Sequence, residues 1–103
     1  MAKFVFTYKG GAGMPETEAE QAAVMAAWEA WYGDLGAAVT DGGAPFSHAT
    51  TIAPDGSTSP TTDQLTGYTI VEAADMDAAV QMASACPVLE SGASVEVSAA
   101  IDM

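Results

Sequence analysis

The chain has 103 residues, with 14 carboxylates, two lysines and no arginine, and its formal net charge is −12 at pH 7. Nucleic acids, anionic membrane surfaces and phosphorylated substrates are bound through clustered Lys and Arg side chains, so the composition argues against these partners. This length predicts a single domain, residues 1–103, which buries about 64% of the surface of its unfolded chain.

Two elements are predicted in the first third of the chain. Residues 3–9 alternate aromatic with smaller side chains, which predicts a β-strand. Residues 15–37 carry apolar side chains every three or four positions, which predicts a long helix. This helix has two candidate N-caps, Met14 and Thr17, and Thr17 stands at capping-box spacing from Glu20.

The middle of the chain, residues 38–64, has weaker patterns. Residues 39–40 begin one candidate strand, and residues 47–52 form a candidate extended segment. Residues 54–57, Pro-Asp-Gly-Ser, predict a turn because proline presets φ and glycine accepts a positive φ. The Ser, Thr and Pro residues at 57–62 predict a polar loop.

The last third predicts a strand, a helix and a final strand. Residues 65–73 alternate in period two. Asp75 is a candidate cap for a helix over residues 76–86, and the following Pro87 ends that helix. Residues 94–101 alternate again.

The order of these elements predicts an α+β fold, a ferredoxin-like β-α-β-β-α-β sandwich with an antiparallel sheet. Two helices cover only one face of such a sheet. The uncovered face is expected to carry Val5, Thr7, Thr69, Val71, Ser98 and Ala100. A half-apolar face of this kind predicts a partner, and a second copy of the chain is the simplest one.

The order and spacing of several segments resembles the YCII-related family, in the branch named for an Asp-Gly-Pro-Phe motif. The resemblance rests most on residues 63–73, followed by residues 75–79, Cys86-Pro87 and residues 94–97. It implies a dimeric α+β barrel. Some relatives act on small aromatic compounds with a proposed His-Asp pair, and the branch is associated with alternative sigma factors.

The chain departs from the family pattern at two places. The naming motif is present only as Asp55-Gly56-Ser57-Thr58. The first helix contains no histidine, and the family's histidine position falls near Met25. The family's pair of catalytic residues therefore does not transfer to this chain as a pair.

His48 is the one histidine of the chain and the natural candidate for acid–base catalysis, because an imidazole titrates between pH 5 and 8. Asp41 is a candidate orienting carboxylate, with Asp55 and Asp34 as further possibilities. The alternative is a half-exposed histidine beside a strand, hydrogen-bonded to water or to the backbone.

Aromatic side chains predict a second kind of site. Trp28, Trp31 and Tyr32 of the first helix, with Tyr8 and Tyr68 of the sheet, are candidates to line a pocket for a flat organic ligand. Tyr8, Trp28, Tyr32 and Tyr68 are the ligand-binding candidates. The alternative is that aromatic residues at helical spacing belong to the core.

Other motifs do not predict chemistry. Asp75 and Asp77 fit a helix start better than a metal site. Cys86 lies at a helix C-terminus, where the dipole disfavours the thiolate. The glycines between residues 10 and 13 lack the Lys-Ser/Thr of a phosphate loop. No metal and no cofactor are expected.

The sequence leaves two functions open. One is an enzyme that acts on a small organic, aromatic molecule with His48 as acid or base. The other is a non-catalytic module that binds a small ligand or regulates a partner. The N-terminus lacks a signal-peptide core, so a cytoplasmic protein is expected. The uncovered sheet face predicts a homodimer through that face. The acidic surface fits either ordinary solubility or adaptation to high salt.

Overall fold

The computed structural model describes residues 2–11 and 15–101. The elements are β1 (Ala2–Lys9), α1 (Glu18–Leu35), β2 (Val39–Asp41), β3 (Thr50–Ile52), β4 (Thr58–Pro60), β5 (Leu65–Ala73), α2 (Met76–Ser84) and β6 (Ser94–Ala99). The main sheet has the order β2-β5-β1-β6 and its neighbouring strands are antiparallel. This is the ferredoxin-like order with two helices, so the predicted fold class is confirmed.

The helix starts follow from side-chain caps. Thr17 caps α1, because its Oγ1 accepts a hydrogen bond from the Glu20 amide at 3.2 Å. The other candidate, Met14, lies outside the described residues. Asp75 caps α2 through a 2.9 Å bond from the Ala78 amide to its Oδ1, as predicted. Both helices are shorter than predicted: α1 begins after its Thr17 cap and is followed by a 3-10 turn at Gly36–Ala38, and α2 ends at Ser84, before the 3-10 turn at Pro87–Ser91.

The predicted polar loop at residues 57–62 is wrong in its middle. Residues 58–60 form β4, which pairs with β3 in a separate two-stranded hairpin. The predicted turn lies at its tip: the Asp55 Oδ1 accepts bonds from the Ser57 amide at 2.9 Å and from its hydroxyl at 2.7 Å. The φ of Gly56 is 89°. All six strand residues of this hairpin are exposed.

The sequence assigned the wrong face of β5 to the helices. Phe4 pairs with Val71 and Phe6 with Thr69, so these four side chains lie together under the helices. Thr69 and Val71 are both fully buried there. Tyr68 and Ile70 lie on the open face instead. Period-two alternation shows which residues share a face, but packing against the helices decides which face is covered. Of the remaining expected open-face residues, Val5, Thr7 and Ser98 share a face across β1 and β6, and Ala100 follows β6.

The core lies between the sheet and the two helices. Phe6 is fully buried beneath Trp31, with ring centroids 6.1 Å apart. The indole Nε1 of Trp31 donates to the Met82 carbonyl at 2.9 Å and so ties α1 to α2. The molecule is a slab of 44 × 41 × 18 Å.

Over residues 2–11 and 15–101, neither helix has the length and apolar character that crossing a membrane requires.

Candidate functional site

A cavity of about 370 Å³ lies between α1 and the β2–β5 edge of the sheet, and we call it the aromatic cavity. It is mostly apolar, and small-molecule sites of about 300–1,000 Å³ have this character. The four sequence candidates for ligand binding all line it. Its lining comprises Tyr8, Val24, Met25, Trp28, Tyr32, Gly42, Gly43, Ala44, Pro45, Thr66, Gly67, Tyr68 and Val88.

Trp28 is the centre of the aromatic wall. Its ring packs edge-on against Tyr8 with centroids 5.7 Å apart and lies 5.8 Å from Tyr32. It also meets Trp31 edge-on at 5.6 Å. Trp31 is buried in the core, whereas Trp28 and Tyr32 remain partly exposed. Trp31 therefore belongs to the core, whereas Trp28 and Tyr32 line the aromatic cavity.

Two tyrosine hydroxyls connect the cavity wall to the loop after β2. Tyr8 donates to the Thr69 hydroxyl at 2.7 Å, and Thr69 donates to the Gly42 carbonyl at 3.2 Å. Tyr32 donates to the same carbonyl at 2.9 Å. The Gly42 carbonyl therefore joins β1, α1 and β5 at the edge of the cavity.

Burial sets the protonation of this network. Burial raises the pKa of Tyr8 far above its ordinary value, although the bond to Thr69 acts in the opposite direction. Burial also raises the pKa of the neighbouring Cys86 thiol. Both groups stay protonated at neutral pH. Tyr8 is thus a neutral hydrogen-bonding group rather than a base, and Cys86 is a poor nucleophile.

Glycines let the loop after β2 approach β5 closely. Gly43 has a φ of 80°, and a Cβ added there would lie 1.6 Å from the Tyr68 carbonyl oxygen. A Cβ on Gly67 would lie 3.1 Å from the Ala44 carbonyl oxygen and 3.4 Å from the Tyr8 ring. Only glycine fits at Gly43, so this residue fixes the width of the cavity at the sheet edge.

Asp41 and Tyr68 meet on the other side of the sheet. The Tyr68 hydroxyl donates to the Asp41 Oδ2 at 3.1 Å, and this bond raises the pKa of Tyr68. The Tyr68 ring stacks on Phe46 with centroids 5.8 Å apart. The strand register places the Tyr68 side chain on the open face, while its carbonyl lies beside Gly43 at the cavity.

His48 lies outside the lining of the aromatic cavity. It is exposed, between β2 and β3, and its Nδ1 is 3.3 Å from the Ser47 hydroxyl. Asp41 is bonded to Tyr68 and to the Gly43 amide, and Asp55 is bonded to Ser57. Within the residues that the structure describes, no hydrogen bond or ion pair joins the candidate catalytic residues His48 and Asp41.

A second cavity of about 710 Å³ continues along α1. It shares four wall residues with the aromatic cavity: Val24, Trp28, Thr66 and Val88. Glu20 and Glu90 add carboxylates to its wall. The Lys9 ammonium is held by Asp63 at 3.1 Å and by Glu96 at 3.4 Å. The two cavities thus suit an uncharged or cationic ligand better than an anionic one.

Sequence reasoning missed Thr69 and Gly43 as site residues. Alternation placed Thr69 on the open face, so its link to Tyr8 was hidden. The glycine pair at positions 42 and 43 was a visible signal, since adjacent glycines often mark a close backbone approach. Among the described residues, no group of three His, Cys, Asp or Glu side chains converges as a metal site.

These features define an α+β domain of ferredoxin-like topology with an aromatic cavity between the first helix and the sheet. The chain belongs to the YCII-related family, because the model of the YCII-related domain matches residues 1–100. No curated protein gives a significant match.

A similar solved structure is that of 5-chloro-2-hydroxyhydroquinone dehydrochlorinase from Burkholderia phenoliruptrix, in complex with 2,5-dihydroxybenzoquinone. The two chains are 21% identical, the TM-score is 0.58, and the match covers 93% of this chain and 90% of the other. This likeness supports the fold.

Proposed function

We propose that this protein binds a small aromatic molecule in the aromatic cavity. The observation that carries the proposal is the convergence of Tyr8, Trp28 and Tyr32 on one cavity of about 370 Å³. Aromatic walls hold a flat ring by stacking and edge-on contacts, and a few polar groups orient it. The similar dehydrochlorinase structure holds 2,5-dihydroxybenzoquinone, which is a flat six-membered ring of similar size.

A ligand panel tests this proposal. Phenols, hydroquinones and alkylbenzenes are titrated while the fluorescence of the protein is followed, and calorimetry confirms each hit. Trp28→Leu keeps the wall apolar but removes its ring, so we expect at least tenfold weaker binding. Ile52→Ala is the control, because this side chain is 71% exposed on the hairpin. Absence of millimolar or tighter binding across the panel contradicts the proposal.

A second candidate is an enzyme with His48 as acid or base, which the likeness to a dehydrochlorinase favours. His48 is exposed and lies outside the lining of the aromatic cavity of its own chain. For this candidate, a second copy of the chain would bring its imidazole to the mouth of the cavity. Turnover of a bound compound that His48→Ala abolishes, with binding retained, supports the enzyme. Binding without turnover in both proteins supports a binding module.

The proposed assembly is a homodimer through the open sheet face. The chain exposes 6803 Å², whereas a compact monomer of its mass exposes about 5,400 Å². The difference exceeds the roughly 800 Å² per partner of a standard interface. The open face carries Val5 and Thr7, both partly buried without any helix above them. Sedimentation equilibrium at micromolar concentration tests this, and a single subunit there contradicts it.

A further inference from the structure

The charges of the chain are distributed unevenly between the main sheet and the rest of the molecule. The four strands of this sheet carry both lysines of the chain and only three of its 14 carboxylates, so their net charge is −1, whereas the whole chain has −12. The strand residues concerned are Lys3, Lys9, Asp41, Glu72 and Glu96. The sheet therefore contributes little to the charge that makes two copies of this chain repel each other.

Both lysines lie on the open face of the sheet. In β1, Phe4, Phe6 and Tyr8 are buried under the helices, and the residues that alternate with them point to the opposite side. Lys3 and Lys9 are among these alternating residues, at opposite ends of β1 and about 20 Å apart along the strand. Each end of β1 thus places an ammonium group on the face opposite the helices.

Each lysine has carboxylate neighbours on the same face. The Lys9 ammonium lies 3.1 Å from the Asp63 carboxylate and 3.4 Å from that of Glu96. Lys3 stands directly opposite Glu72 in the strand register, a position at which opposite charges attract each other. The lysines therefore compensate the carboxylates of the open face within each copy.

The part of the open face between these charged ends is mostly apolar. Val5 lies opposite Ile70, and Thr7 lies opposite Tyr68. The ring of Phe46 extends this surface, because it stacks on Tyr68 and is 43% exposed. An apolar centre with charged groups around it is the usual anatomy of a protein–protein interface.

The helices present a different surface. Glu18, Glu29 and Asp34 are exposed on α1, and Asp75 and Asp77 are exposed at the start of α2. Neither helix contains a lysine or an arginine. Two copies that met through their helices would place like charges opposite each other, which costs binding free energy. Contact through the open sheet face avoids this cost.

We propose that Lys3 and Lys9 are the docking determinants of the open face, and that a second copy of the chain occupies it. The lysines bring the charge of this face close to zero, so two acidic chains pack through it, while the acidic helices disfavour other arrangements. This inference rests on the proposed homodimer and adds which residues permit it and which orientation they select.

Sedimentation equilibrium of the full-length chain compares Lys3→Gln/Lys9→Gln with the native protein. Glutamine removes each charge but stays polar, and a two-fold dimer loses four ammonium groups. We expect at least tenfold weaker association at 0.1 M salt. At 1 M salt the difference should fall below threefold, because the Debye length of about 3 Å screens exposed charges.

Charge restoration is the sharper test. Adding Glu72→Gln and Glu96→Gln to the lysine variant returns the strands to a net charge of −1. We expect this variant with four substitutions to associate within threefold of the native protein at 0.1 M salt. A purely structural role of the lysines would leave it as weak as the lysine variant.

A matched control separates the charge of the face from the charge of the whole chain. Ala22 and Ala26 are exposed on α1, so Ala22→Glu/Ala26→Glu also gives a formal net charge of −14 but leaves the sheet unchanged. We expect less than threefold weaker association. Circular dichroism checks that each variant is folded, and if the double lysine variant is not, Lys3→Gln alone must weaken association at least threefold.

The outcomes separate the inference from the proposals on which it builds. Equal weakening of the control and the lysine variant would show that only the total charge matters, and would overturn the inference. A dimer that the lysine substitutions leave unchanged would overturn it too, while the proposed homodimer stands. A native chain that remains a single subunit at both salt concentrations would refute the homodimer and the inference together, and the aromatic cavity would remain a separate question.

Discussion

Replacing Gly43 by alanine tests how the loop after β2 shapes the cavity. The new Cβ would lie 1.6 Å from the Tyr68 carbonyl oxygen, whereas ordinary contact begins near 3.4 Å. The loop and β5 must therefore separate by about 1.8 Å. A separation of this size breaks the bond from the Thr69 hydroxyl to the Gly42 carbonyl at 3.2 Å and the bond from the Tyr68 amide to the Ala44 carbonyl at 3.4 Å.

The expected loss follows from these contacts. Two hydrogen bonds contribute about 1 kcal/mol each, and alanine at a positive φ costs about 1 kcal/mol more. The free energy of unfolding should fall by about 3 kcal/mol, which lowers the Tm by about 12 °C or more in a domain of this size. Ligand binding in the aromatic cavity should weaken as well, because its rim moves.

Two control glycines separate the steric cost of the added Cβ from the backbone cost of a positive φ. Gly42 has no positive φ and no atom within 4 Å of an added Cβ, so Gly42→Ala should stay within about 0.5 kcal/mol of the native protein. Gly56 has a φ of 89° and open space, so Gly56→Ala should lose only the backbone cost of about 1 kcal/mol. Urea unfolding at fixed protein concentration, followed by tryptophan fluorescence, measures all three. A Gly43→Ala protein no less stable than Gly56→Ala refutes the argument.

Three further predictions concern stability and assembly. The pKa of Tyr8 is raised in the folded state, so its neutral hydroxyl contributes to the free energy of unfolding below the unfolded pKa of about 10. This contribution is lost as the pH rises above that value, by up to about 1.4 kcal/mol per pH unit. Urea unfolding should therefore show a smaller loss between pH 9 and 11 in Tyr8→Phe than in the native protein, and equal losses would contradict this. Phe6→Ala should cost about 3–5 kcal/mol because Phe6 is fully buried, whereas Ile52→Ala should cost less than about 0.5 kcal/mol; comparable values would show that the core is misplaced. The proposed dimer should tighten as the salt concentration rises from 0.1 to 1 M, because the Debye length falls from about 10 to about 3 Å and screens the repulsion between two chains of charge −12; weaker association in sedimentation would argue for an ion-paired interface.

Local patterns in the sequence were sufficient for most of the fold. Strand β5 begins and ends where the alternation predicts, and the caps at Thr17 and Asp75 lie at the predicted positions. These features depend on neighbours within a few residues, so the sequence displays them directly. The prediction of disfavoured partners likewise came from the composition, because the net charge does not depend on tertiary structure.

Only the tertiary structure decided which side of β5 faces the helices. Alternation is symmetric between the two faces, so it could not place Thr69 beside Tyr8 or leave Tyr68 on the open side. The position of His48 outside the cavity lining was equally undetermined, because the loop that carries it follows no periodic pattern. Side chains and carbonyls that are far apart in the sequence, such as Tyr8, Thr69 and Gly42, meet only because the sheet register and the glycine loop bring them together.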